Sequence, residues 1–95
     1  MRTILKFVEI APGGDFAFAL RVYDAESGIL YHVGTLWADR IIILSQPPYL
    51  MVTLFTSGNA HFIGVIDELD LSLASPEIRE KFQGARMDIR ARAII

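Results

Sequence analysis

The sequence predicts a mostly β domain: a small antiparallel β-sandwich or barrel of about seven strands, with one short helix over 76–83 before the last strand. Three observations carry this reading. Turn-forming clusters recur along the chain, at Pro12-Gly13-Gly14-Asp15, Glu26-Ser27-Gly28, Gln46-Pro47-Pro48 and Ser57-Gly58-Asn59. The runs between them have strand length and are rich in β-branched and aromatic residues. Charge is also segregated: between Gly28 and Ile66 only the adjacent Asp39 and Arg40 are charged, with seven charged residues before Gly28 and eleven after Ile66. An element with a face in water normally carries charge there, so this middle third is expected to be covered on more than one side. An α+β sheet with a helix on one face is the alternative.

Strands are expected over 2–10, 16–24, 29–38, 40–45, 49–56, 60–67 and 86–94. In the second of these, Phe16, Phe18, Leu20 and Val22 form a large apolar row, while Ala17, Ala19, Arg21 and Tyr23 form a small or amphipathic one. The third places Ile29, Tyr31, Val33 and Trp37 opposite Leu30, His32, Gly34 and Leu36, with both rows largely apolar. The fifth repeats this with Leu50, Val52 and Leu54 against Met51, Thr53 and Phe55. Strands apolar on both faces belong to sheets with layers on both sides. Gly58-Asn59 is expected to supply the positive φ of a tight hairpin between 49–56 and 60–67, and Gly28 that of a longer loop from Asp24.

Leu69 to Ala74 alternates leucine with polar residues, as a one-sided strand or extended bridge would. It leads to Ser75 as N-cap, Pro76 at the first helical position and Glu77 at the positive end of the helix dipole. Ile78 and Phe82, four apart, make the apolar face, Glu77 and Lys81 are spaced to pair, and Gly84 ends the helix. So short a helix needs packing for its stability, and it is expected to lie as a lid over an opening or edge of the sheet. The last strand alternates Met87, Ile89, Ala91 and Ala93 with Arg86, Asp88, Arg90 and Arg92, the pattern of one solvated face.

Bulk properties bound the function. Residues 1–95 make one domain, 53% hydrophobic with a mean hydropathy of +0.40, which argues against disorder. The formal net charge of −2 provides no general attraction for nucleic acid. With no cysteine, disulfides and thiolate metal sites are excluded, which suits a cytoplasmic location. Lys6 and Glu9 interrupt the N-terminal run before a signal-peptide core can form. Ile41 to Phe55 is too short to span a membrane and carries Pro47-Pro48 near its centre.

Specific chemistry is sparse. His32 and His61, the two histidines, lie in no ligand-spaced motif, and an ordinary hydrogen-bonding role is the simpler account. Asp67, Glu68 and Asp70 form the densest acidic cluster without the spacing of a calcium loop. Arg86, Arg90 and Arg92 make a basic stripe, interrupted by Asp88 and lacking the stacking aromatics of single-strand binders. Neither phosphate-loop pattern is present around Gly13-Gly14, and no serine sits in a nucleophile elbow. No cofactor or metal is predicted.

The expected function is therefore a non-enzymatic interaction module, homo-oligomeric through apolar strand faces, with Tyr31, Trp37, Tyr49 and Phe55 as anchors and Ala17 and Ala19 as a smooth contact surface. A β-barrel holding a small apolar or amphipathic ligand is the second expectation, with the same aromatics lining its pocket and the helix as lid. A small enzyme using His32 or His61, with Asp39 or Asp67 as acidic partner, is the third.

Overall fold

The computed structural model describes residues 1–46 and 48–84; the strand expected over 86–94, with Arg86, Arg90 and Arg92, lies outside them. The described strands are β1 (Arg2–Ile10), β2 (Phe16–Asp24), β3 (Ile29–Ala38), β4 (Arg40–Gln46), β5 (Tyr49–Thr56), β6 (Asn59–Ile66) and β7 (Glu68–Asp70). One helix among the described residues, α1 (Pro76–Gly84), follows them. The domain is mostly β, in two sheets that do not close into a barrel. The first has strand order β3-β2-β1-β7 and the second β4-β5-β6. Every neighbouring pair is antiparallel except β1 and β7, which run parallel.

The sheets are joined at two corners where the chain changes sheet without a loop. Asp39 separates β3 from β4, and Asp67 separates β6 from β7. At each corner the aspartate binds twice to a neighbouring strand or turn. Asp39 donates its N–H to the Phe55 carbonyl at 3.0 Å and accepts the Ser57 N–H on its carboxylate at 2.8 Å. Asp67 donates to the Thr3 carbonyl at 2.9 Å and accepts the Thr3 N–H at 2.7 Å. Backbone groups that the interrupted ladders would leave unpaired are thus satisfied at the turn itself.

The core lies between the sheets. Leu5, Phe7 and Phe18 from the first sheet meet Ile41, Ile43, Val52, Leu54 and Ile66 from the second, each at most 2% exposed. The Phe7 ring stands edge-on to Phe18 at 6.0 Å and to Phe16 at 6.3 Å, a favoured aromatic geometry. Ala74 belongs to this cluster, and Leu69, Leu71 and, from the helix, Ile78 pack against it. Its N-terminus is held as the sequence predicts: the Ser75 hydroxyl accepts the Ile78 N–H at 3.3 Å. Arg79 ties α1 to the preceding turn by donating to the Ala74 carbonyl at 3.2 Å and the Leu71 carbonyl at 3.1 Å.

Three local expectations are revised. The hairpin between β5 and β6 turns on Ser57 and Gly58 with φ of 52° and 81°, so Asn59 pairs with Thr56 and belongs to β6. Two successive positive φ values match the twist of the flanking strands, and the Asp39 carboxylate on the Ser57 N–H holds the serine there. The stretch after Asp67 forms the short strand β7, parallel to β1 at Ile4–Lys6. Finally, β3 does not keep one alternation throughout. A bulge opposite Leu20 and Arg21 leaves Val33 between the pairs Gly34–Leu20 and His32–Arg21. The extra residue exchanges the two faces beyond it.

Candidate functional site

Cross-strand register assigns each outward side chain to a face. On the outer face of the first sheet, Arg2 and Tyr23, Ile4 and Arg21, Lys6 and Ala19, and Glu9 and Ala17 stand opposite one another. Across the next ladder, Ile4 lies beside Glu68 and Lys6 beside Asp70. Arg2 and Glu68 form an ion pair, and Lys6 Nζ lies 4.0 Å from Asp70 Oδ2. The Asp70 carboxyl is held below its usual range by hydrogen bonds from the Ser72 side chain and backbone N–H; Lys6 and Arg21 reinforce the effect, and partial burial opposes it. This β1–β7 half is an ordinary solvated face.

The other half differs. Ala17 lies between Glu9 and Trp37, and Ala19 between Lys6 and Thr35. Both alanines are enclosed, at 5% and 4% exposure, so they offer almost no contact surface themselves. Beyond them runs β3, an edge strand among the described residues, with Ile29, Leu30, Tyr31, Val33 and Trp37 all between 46% and 59% exposed. Because of the bulge, Tyr31 lies opposite Val22 on the core-side face, whereas Trp37 lies opposite Ala17 on the outer face. The expectation that Tyr31 and Trp37 share one face is therefore corrected: they flank the same edge from opposite sides.

The second sheet carries Tyr49 and Phe55 on its outer face. Cross-strand rows there join Ile42, Thr53 and Ile63, and then Leu44, Met51 and Val65. Ile63 and Val65 are 68% and 52% exposed. Arg40, the only charged residue in these three strands, lies with its guanidinium 4.7 Å from the Phe55 ring centre. Neither β3 nor β5 has another layer of described residues over its second face. Among the described residues, part of the apolar surplus between Gly28 and Ile66 is thus surface.

Little of the arrangement suits catalysis. His32 and His61 are exposed, each beside a strand irregularity. The carboxylates of Asp39 and Asp67 are engaged by the backbone N–H groups of Ser57 and Thr3. Among the described residues, no buried side chain is polar or charged, and no three His, Asp or Glu side chains gather as metal ligands would. No described helix is long and apolar enough to cross a membrane.

Sequence reading named Tyr31, Trp37, Tyr49 and Phe55, and the structure distributes them over two surfaces: the β3 edge, and the outer face of β4–β6. It did not single out Leu30, Val33, Ile63 or Val65, which are as exposed as the aromatics. Their signal was present in the uncharged run, but an apolar residue in a two-sided strand does not declare which of its faces is open. Comparison with protein-family models, with curated proteins and with solved structures returned no match.

Proposed function

We propose that this protein is a soluble, cytoplasmic, non-enzymatic assembly module that associates with further copies of itself through apolar strand surface. The observation that carries this reading is Trp37: the only tryptophan of the chain, it is 49% exposed within a ten-residue strand without a charge. Tryptophan dominates protein interfaces because it buries a large rigid surface at small entropic cost. Large exposed apolar patches in small domains mark association sites. Hydrophobic burial supplies the affinity, and the charged β1–β7 face keeps the assembly in solution.

Trp37 provides its own reporter. On dilution from high micromolar to nanomolar concentration, its emission is expected to move to longer wavelength as the sedimentation coefficient falls to that of one chain. A single-chain sedimentation coefficient and constant emission across that range would overturn the reading.

A further inference from the structure

We infer that two copies of this chain join β3 to β3, antiparallel about a two-fold axis, so that two four-stranded sheets become one continuous sheet. The inference rests on the self-association proposed above and names its surface and register.

An edge strand leaves backbone N–H and C=O groups unpaired, and proteins normally blunt such edges with short length, charge or proline. The other edges here are managed in these ways. β7 is three residues long, β4 starts at Arg40 and leads to Pro47-Pro48, and β6 runs into the Asp67 corner that binds Thr3. β3 is the longest described strand and carries no charge or proline from Ile29 to Ala38. Only its bulge interrupts it.

That bulge selects the occupant. The Trp37 carbonyl points away from β2, where it accepts the Thr56 hydroxyl at 3.3 Å. By antiparallel alternation, Thr35 presents its N–H and C=O on the same open side. Beyond Val33 the alternation switches, so Leu30 and His32 face outward in their turn. A strand without the bulge pairs with its own copy only when the two partners' residue numbers sum to an even number. This strand, its halves in opposite phase, needs an odd sum.

The register summing to 67 sets Thr35 opposite His32 of the second copy, and places Trp37, whose carbonyl already accepts the Thr56 hydroxyl, opposite Leu30. On the core-side face it sets Leu36 opposite Tyr31 and Ala38 opposite Ile29. Both faces thus gain apolar cross-strand pairs, and the ladder contains no charge to repel its copy.

The chain has no cysteine, so introduced thiols report contacts cleanly. The full chain is expected to sediment at twice its 10.6 kDa mass. The double variant His32→Cys/Thr35→Cys should give a covalent dimer under mild oxidation, because each thiol meets its counterpart across the axis. Thr35→Cys alone should not, since its own copy lies off register. A second variant, Thr35→Pro, removes one outward donor without touching the β2 ladder and should yield a monomer with an unchanged β-sheet circular dichroism spectrum. If Thr35→Pro unfolds, the thiol pair decides alone. A wild-type dimer that the thiol pair does not link, or that Ile63→Cys links instead, overturns this pairing while leaving self-association intact. A wild-type monomer at high micromolar concentration overturns both.

Discussion

Asp67 and Thr3 hold each other twice: the Thr3 N–H reaches the Asp67 carboxylate at 2.7 Å, and the Asp67 N–H reaches the Thr3 carbonyl at 2.9 Å. This exchange fastens β1 to the point where the chain leaves the second sheet for the first. Asp39 does equivalent work at the opposite corner with Ser57 and Phe55. The two corners are the only places where the described chain passes directly from sheet to sheet.

Removing the carboxylate at the partly buried corner leaves the Thr3 N–H without its acceptor. Asp67→Ala is expected to destabilise the fold by about 1–3 kcal/mol, while Asp67→Asn, which keeps an acceptor oxygen, loses less. Asp39→Ala is expected to cost less than Asp67→Ala, because water reaches the exposed Ser57 N–H. Urea unfolding checks all three: the midpoints should fall in that order with the slope unchanged.

Gly64 is required by its neighbour on the same face. A Cβ at Gly64 would stand 2.7 Å from Phe62 Cζ and 3.1 Å from Cε2, so the ring occupies the space a side chain needs. Phe62 packs against the core and cannot swing away without opening it. Gly64→Ala should therefore cost about 1–3 kcal/mol, the usual penalty of overfilling a packed site. The combined Phe62→Leu/Gly64→Ala change should recover part of that loss, and a thermal-unfolding cycle of the four proteins measures the coupling.

Asp70 predicts the direction of a pH dependence. Its folded-state carboxyl titrates below the ordinary range, chiefly through the Ser72 side chain and backbone N–H, so the unfolded chain binds the proton more readily. Its contribution is fully present above the usual carboxylate range and is lost as the pH falls through the lowered folded value. At 26% side-chain exposure, solvent screening keeps the effect modest. Wild type should exceed Asp70→Asn in melting temperature at neutral pH, with the gap closing in acid. A gap independent of pH would contradict this assignment.

Most of the fold was legible from residue order. The period-two rows of β2 and β5, the turn clusters and the Ser75-Pro76-Glu77 helix start each reflect chemistry within a few neighbouring residues. The hairpin at Ser57-Gly58 was misplaced by one position, because an aspartate from the corner between β3 and β4 stabilises the serine's positive φ. The candidate surface was legible only as an excess of apolar residues. Whether Tyr31 and Trp37 stand together depends on the bulge at Val33, which no local residue pattern announced.

By itself, the sequence determined that Gly28 to Ile66 would be strands with two apolar rows and almost no charge, since alternation and turn chemistry are local properties. The tertiary structure alone decided which of those rows is covered. Two sheets give each strand only one inner face, and strand order places β3 at an edge. Among the described residues, the charge-poor middle of the chain is therefore part core and part open surface, a division set by neighbours distant in sequence.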